Sequence, residues 1–336
     1  MADVNLHVSV LGAGSFGTTV AHLAARNTDT TLWCRRAETA DEVNSEHTNS
    51  RYLADSRINE RITATADLEE AITKADVIVM GVPSHGYREI LEHVANHIRA
   101  WVPIVSLAKG LEQGTDLRMT EVIREMIPDH RAGVLTGPNL AKEIMAGYAA
   151  ASVLAFEDDN VTRQVQNVFN SGPFRVYRGS DVVGSELGGA LKNIIAIAAG
   201  MGDGLGVGDN TRAAVITRGL AELTRLGTAL GGRQETFAGL AGMGDLIATC
   251  SSRQSRNRFV GEELGKGKPI EQIIEEMDQV AEGVKTSKVV MDLGERHGVR
   301  LPISREVYRV IYEGNTAMDA YRGLTRGAPG KENQPG

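Results

Sequence analysis

The sequence predicts an α/β protein, a doubly wound N-terminal domain followed by an all-helical C-terminal one. Three observations predict it. Short β-rich runs alternate with helical stretches up to about Gly179, a glycine-rich loop joins the first run to the first helix, and from Ser180 onward the β-runs stop. Apolar strands separated by helical connections mark a parallel sheet covered on both faces. The expected division is residues 1–182 for the first domain and 183–325 for the second. A polar tail rich in Pro and Gly, 326–336, is expected to be disordered.

At 336 residues the chain has ample core for two domains. Its formal charge of −7 argues against non-specific nucleic-acid binding, which depends on a basic face. Two cysteines, Cys34 and Cys250, do not make a disulfide framework or a metal cluster, and both are expected to be inert core thiols. No H-E-x-x-H motif occurs, and no metal site is expected. On the sequence reading no apolar run reaches membrane-spanning length, and the start "MADVNLHVSVLGAG" lacks signal-peptide regions, so the expected location is cytoplasmic.

In the first domain, "VSVLGAGSFGTTVAHLAA" sets Gly12, Gly14 and Gly17 in G-x-G-x-x-G order, after a strand and ahead of a helix pattern from Thr18 to Arg26. Gly12 permits the tight turn, Gly14 lets a pyrophosphate approach the backbone, and Gly17 brings helix and strand close. The helix N-terminus then offers N–H groups to the anion. In this strand–loop–helix context it is read as the fingerprint of a Rossmann-type dinucleotide site; a merely structural glycine turn is the plainer alternative. The next β-run, "TTLWCRR", ends where an acidic residue would select NAD, yet Arg35 and Arg36 stand there. A guanidinium suits a 2′-phosphate, so NADP is favoured with NAD also allowed. Arg35 is the expected contact and Arg36 an ordinary solvated arginine. The later β-runs are "ADVIVMGVPS", "VPIVSLAKG", "GVLTGP", "ASVLAF" and "FRVYRG". Parallel strands end at the ligand crevice, which sets Lys109, Gly137 and Asn139 where a substrate could reach them. His85 follows a strand too, without an evident orienting carboxylate, and is read as a packing or hydrogen-bonding residue.

In the second domain, "VGSELGGALKNIIAIAAGMGDG" carries one lysine inside a mostly apolar helix. Ser185, Gly188, Gly189, Ala196 and Ala199 share the face of Lys192. Small residues around a lysine make a hollow, and a desolvated cation needs a partner or must lose its proton. The plainer alternative is a surface lysine beside a helix–helix contact. Asn210 and Thr211 can cap a long helix ending at Gly231–Gly232, and Pro269 opens another. In "FAGLAGMGDLIATCSSRQSRNRFVG", Gly239, Gly242 and Gly244 open a loop around Asp245. Ser251, Ser252, Arg253, Ser255, Arg256, Asn257 and Arg258 then cluster at a helix start. Hydroxyls, amides and guanidinium groups at a helix N-terminus suit a phosphate monoester; a solvated basic turn is the plainer alternative.

Eight ordered motifs, "GAGSFGTTVA", "VPSHGYR", "SLAKGLE", "LTGPNLAKEI", "ELGGALKNIIAIAAGMGDGL", "GLAGMGDLIATC", "SRNRFVGEELGKG" and "VAEGVKT", resemble the bacterial NAD(P)-dependent glycerol-3-phosphate dehydrogenases from about Val8 to Gly323. The resemblance implies reversible reduction of dihydroxyacetone phosphate to sn-glycerol 3-phosphate, feeding glycerophospholipid synthesis. It implies cofactor contacts at Ser15, Phe16, Arg35, Lys109, Ala141, Arg256, Val280 and Glu282. It implies substrate contacts at Lys109, Gly137, Asn139, Lys192, Asp245, Ser255, Arg256 and Asn257, with Lys192 the proton-transfer residue. The family usually has Ser or Thr where Asn139 stands.

On this reading the nicotinamide carries the hydride, and Lys192 gives a proton to the developing C2 oxygen. Burial and a second cation such as Lys109 favour proton release from Lys192, whereas a tight pair with Asp245 opposes it. Asp245 either orients Lys192 or binds a substrate hydroxyl. Arg256 and Asn257 hold the phosphate. Two alternatives keep the architecture: a hydroxyacid or 6-phosphogluconate type dehydrogenase, and a protein that binds NAD(P)H without turnover. A ligand cleft between the domains is expected. The expected partners are a small-molecule substrate and a second copy in a homodimer, with no nucleic acid and no stable membrane insertion.

Overall fold

Eight runs rich in Val, Ile, Leu and Thr pair into one sheet in the computed structural model, which describes residues 6–277 and 281–325. They are β1 (His7–Leu11), β2 (Asp29–Trp33), β3 (Ile62–Thr65), β4 (Val77–Met80), β5 (Ile104–Ser106), β6 (Ala132–Thr136), β7 (Ala150–Ala155) and β8 (Phe174–Gly179). Their order is β3-β2-β1-β4-β5-β6-β7-β8, and every neighbouring pair is parallel except β6 with β7. The turnback follows from the connection. Between β6 and β7 the one helix is Ala141–Met145, five residues long, which advances only about 7.5 Å. That is too short to carry the chain back along a strand. Strand β3, "ITAT", has no counterpart among the expected runs, because two threonines in four residues leave little apolar signal.

The strand interiors show why helices cover both faces. Val77 and Val79 join one apolar cluster with Val20 and Leu23 of helix Ser15–Ala24. Ile78 and Met80 join a second, with Leu91 and Val94 of helix Tyr87–His97 and Val122 and Ile123 of helix Met119–Met126. Alternate residues of one strand therefore feed separate cores, which is the doubly wound arrangement. Cys34 and Cys250 are both buried, and burial pushes each thiol up to about 12.

The chain divides into two compact units, residues 1–108 with 117–182, and residues 109–116 with 183–336. The segment 109–116, which the sequence assigns to the N-terminal domain, belongs with the helices. Leu111 sits in the helical core and Asp116 pairs with Arg296. At the centre of this unit is helix Val182–Leu205, 24 residues long. By length and composition it could cross a membrane, contrary to the sequence reading that no apolar run reaches that length. Here 89 % of its most apolar stretch is buried inside the protein, so it is a core helix that must be apolar nearly all round. Helix Asp209–Ala229 starts at Asp209 after Gly208, which places Asn210 and Thr211 in its first turn rather than at its cap. From its other end the buried Glu222 accepts Ile303 N at 2.6 Å, Ser304 N at 3.1 Å and Ser304 Oγ at 2.9 Å, satisfying the start of helix Pro302–Tyr312.

One of the small residues on the Lys192 face, Gly188, and Gly200 further along the same helix lie against backbone. A Cβ on Gly188 would meet Ala241 O at 2.5 Å, and one on Gly200 would meet Arg258 O at 2.0 Å. Across the same contact, a Cβ on Gly261 would meet Ile197 O at 2.0 Å. Helices Val182–Leu205 and Arg256–Gly265 thus pack backbone against backbone. Replacing Gly261 by Ala forces them apart and should destabilise the protein by about 1–3 kcal/mol. The urea midpoint checks this: an unchanged midpoint would show that the two helices separate without cost.

Candidate active site

In the first unit the glycine loop leaves β1 with Gly12 at φ +121°, a left-handed-side conformation that favours glycine. A Cβ on Gly17 would meet Gly12 O at 2.0 Å, whereas one on Gly14 would touch nothing within 4 Å. Gly14 precedes helix Ser15–Ala24, and no side chain caps that helix. The backbone N–H groups of Ser15, Phe16 and Gly17 therefore open the helix beside unfilled space, an arrangement that fits a dinucleotide pyrophosphate. Asn49, buried, braces the loop by donating to Ala13 O and to Thr18 Oγ1, both at 2.9 Å. Nothing local in the sequence marks Asn49, because its partners lie more than thirty residues away.

Arg35 and Arg36 follow β2 and are exposed. Arg36 precedes helix Ala37–Glu46. After β6, Gly137 takes φ +141°, Asn139 follows, and Ala141 opens the short helix that packs on Ser15–Ala24. Ser152 of β7 donates to Asn139 Oδ1 at 2.6 Å. His85, read from the sequence as a packing or hydrogen-bonding residue, lies exposed in the turn Ser84–Gly86, which excludes the packing half of that reading. His93 and His97 are four apart on one helix, yet His97 Nδ1 faces the His93 carbonyl at 3.0 Å rather than a shared ligand. Among the described residues no three His, Cys, Asp or Glu side chains are grouped to hold a metal.

The second unit gathers Lys109, Lys192 and Asp245. A short π-helical stretch, Leu240–Gly244, feeds helix Asp245–Ser251, so that Asp245 falls in a first turn, where a carboxylate is favoured. Its Oδ1 is 2.9 Å from Lys192 Nζ and its Oδ2 is 2.7 Å from Lys109 Nζ. The Lys192 and Asp245 side chains are only 5 % and 3 % exposed, which rules out the solvated-lysine alternative. Lys192 also donates to Thr249 Oγ1, whose own proton goes to the Asp245 carbonyl at 2.7 Å. Asn193 donates to the Lys109 carbonyl at 3.1 Å. Burial pulls the Lys109 ammonium down to about 8, against the opposing pull of Asp245 and with the help of Lys192. Thr249 and Asn193 are absent from the sequence-derived set. Thr249 lies four residues after Asp245 on one helix, a spacing that could have flagged it.

At the start of helix Arg256–Gly265, Ser255 Oγ accepts Arg258 N at 3.2 Å as the cap. Asn257 is buried, and its Oδ1 accepts Gly283 N at 2.9 Å, which leaves its Nδ2 as the remaining donor. Arg258 is committed to Asp203 at 2.7 Å and Glu262 at 3.3 Å, whereas Arg256 is exposed. Glu282 opens helix Glu282–Arg296 and acts electrostatically on Lys109. Val280 lies outside the described residues. Of the sequence-derived residues, Lys109, Lys192 and Asp245 are thus in direct contact, and Glu282 is in electrostatic reach.

Residues 7–162 match the family model for the NAD-dependent glycerol-3-phosphate dehydrogenase N-terminus, and residues 181–322 match the model for its C-terminus. The chain belongs to the NAD-dependent glycerol-3-phosphate dehydrogenase family. Among curated relatives, glycerol-3-phosphate dehydrogenase [NAD(P)+] 2 of Sphingopyxis alaskensis is 57 % identical over 333 residues, covering 99 % of this chain and 100 % of that protein. Glycerol-3-phosphate dehydrogenase [NAD(P)+] of Mycobacterium avium is 55 % identical over 326 residues, covering 97 % and 96 %. The crystal structure of glycerol-3-phosphate dehydrogenase from Coxiella burnetii superposes with a TM-score of 0.91 at 35 % identity, covering 96 % of this chain and 99 % of that one. This member of the glycerol-3-phosphate dehydrogenase family is accordingly an NAD(P)-dependent oxidoreductase, and the hydroxyacid alternative gives way.

In this family member Arg35 is exposed just past β2, where the sequence reading expects it to meet a 2′-phosphate. Arg35→Ala should lower kcat/KM with NADPH roughly tenfold, with a smaller effect on NADH. Equal losses with the two cofactors would remove Arg35 from 2′-phosphate recognition.

Proposed function

We propose that this protein reduces dihydroxyacetone phosphate reversibly to sn-glycerol 3-phosphate with NAD(P)H, and so feeds glycerophospholipid synthesis. The observation that supports this reading best is the buried Lys192 ammonium, held by Asp245 and Thr249. Those two acceptors take two of its three protons and leave one to give. The bound nicotinamide supplies the hydride to the C2 carbon.

As negative charge grows on the C2 oxygen, Lys192 donates a proton to it, and solvent later restores that proton. Asp245 keeps the ammonium in place and balances one of the two lysine charges, so the cluster stays net positive toward an anionic substrate. Arg256, the Asn257 amide and the N-terminus of helix Arg256–Gly265 hold the phosphate. Binding energy from that remote group helps to fix the reacting carbon. Ser255 already accepts the capping N–H, and its hydroxyl proton is left to serve the substrate. Gly12, Gly14, Ser15, Phe16, Gly17, Arg35 and Ala141 hold the cofactor, and Lys109, Arg256, Val280 and Glu282 complete its contacts in this reading. Gly137 and Asn139 add substrate contacts. In this reading the protein acts in the cytoplasm as a homodimer, the commonest closed assembly of such chains.

Loss of NADPH absorbance on adding dihydroxyacetone phosphate tests the activity, and an inert wild-type chain would end the proposal. Lys192→Ala should lower kcat by roughly 10²–10⁴-fold, while NADPH binding followed by fluorescence is unchanged; near-normal turnover would remove its role. Rising pH takes the proton from Lys109 at about 8 and turns a cation into a neutral amine. kcat/KM should therefore fall on the alkaline side of that point, and Lys109→Arg should move the fall to higher pH. A limb that stays in place in the variant would assign it to another group.

A further inference from the structure

Asn139 and Ser152 both belong to the first unit, one on the turn after β6 and the other on β7. Ser152 is fully buried, and its hydroxyl donates to Asn139 Oδ1 at 2.6 Å. A proton on the carbonyl end of an amide leaves the NH₂ end as the donor end. That Nδ2 is shielded from solvent and has no hydrogen-bond partner among the described residues. A buried donor without an acceptor is costly, so its retention calls for an acceptor that no described residue provides. The backbone fixes this arrangement. Gly137 sits at φ +141°, and a Cβ there would meet Ala151 O and Ser152 Cα, both at 3.1 Å. The turn is therefore pressed onto β7, which holds Asn139 within reach of Ser152.

We infer that Ser152 is a positioning residue: through Asn139 Oδ1 it locks the amide so that Nδ2 is a preset donor to an acceptor oxygen of the bound substrate. The inference rests on the proposed function, in which Asn139 touches the substrate, and adds the polarity of that contact and the residue that sets it. The chemistry explains why an asparagine here needs a lock. A serine or threonine hydroxyl rotates to suit its partner, whereas an amide has two unlike ends and, unrestrained, presents either. Ser152 removes the wrong end.

Ser152→Ala should raise KM for dihydroxyacetone phosphate roughly tenfold with little change in kcat, and Ser152→Thr should restore it. The same step in an Asn139→Ala background should change nothing further, because the amide it acts through is gone. Asn139→Asp, which presents a carboxylate in place of the donor, should weaken binding of sn-glycerol 3-phosphate measured calorimetrically without turnover. Melting temperatures of all variants report on folding. An equal loss from Ser152→Ala in both backgrounds, or unweakened binding in Asn139→Asp, would overturn the inference while leaving the activity standing. A wild-type chain that does not reduce dihydroxyacetone phosphate would instead overturn the proposed function.

Discussion

One carboxylate shared by two ammonium groups organises the helical unit. Asp245 meets Lys192 with one oxygen and Lys109 with the other, and all three are largely withdrawn from water. An isolated charge at such a depth is costly, and removing one partner of a buried set strands the rest. The three residues come from different places: a long core helix, the first turn of a second helix, and a segment that follows strand β5. Each must arrive for the others to be tolerated. The segment 109–116 therefore belongs with the helices although it directly follows the sheet.

Close approach of backbones makes that convergence possible. Gly188 admits the stretch that precedes Asp245, and Gly200 with Gly261 lets the helix bearing Ser255 and Asn257 lie directly on the lysine helix. Helix-interior glycine costs about 1 kcal/mol against alanine, and here the cost is offset by contacts that any side chain would block. The result is a rigid seat in which Lys192 is fixed by Asp245 and Thr249 and the Lys109 carbonyl by Asn193. Preorganised charge of this sort needs no rearrangement when the substrate's own charge develops.

The first unit uses glycine differently. Gly12 and Gly137 supply backbone conformations that side chains rarely adopt, and both lie at the carboxyl ends of strands. Each of these turns is then braced by a polar side chain from elsewhere, Asn49 at the first and Ser152 at the second. The two asparagines Asn139 and Asn257 share a pattern: a fixed carbonyl end and a remaining donor end. Donor ends suit a ligand made of phosphate and carbonyl oxygens.

Much of this is written in the chain order. The glycine spacing, the apolar strand runs, the change of period near Ser180 and the lone Lys192 in an apolar helix are local patterns, and local patterns survive reading along one dimension. Strand β3 escapes because its signal is four residues with two threonines, and the turnback of β7 escapes because direction depends on how far a connection can reach. Thr249, Asn193, Asn49 and Ser152 matter through partners 13 to 84 residues away in the chain. At Gly188 the hollow expected beside Lys192 is met by the backbone of Ala241 for the same reason: residue size is read from sequence, but what fills the space comes from elsewhere in the chain. Sequence alone determined the residue types and their spacing within each element, since covalent order fixes these. Tertiary structure decided which charges meet, because hydrogen bonds and ion pairs act over a few ångströms regardless of distance along the chain.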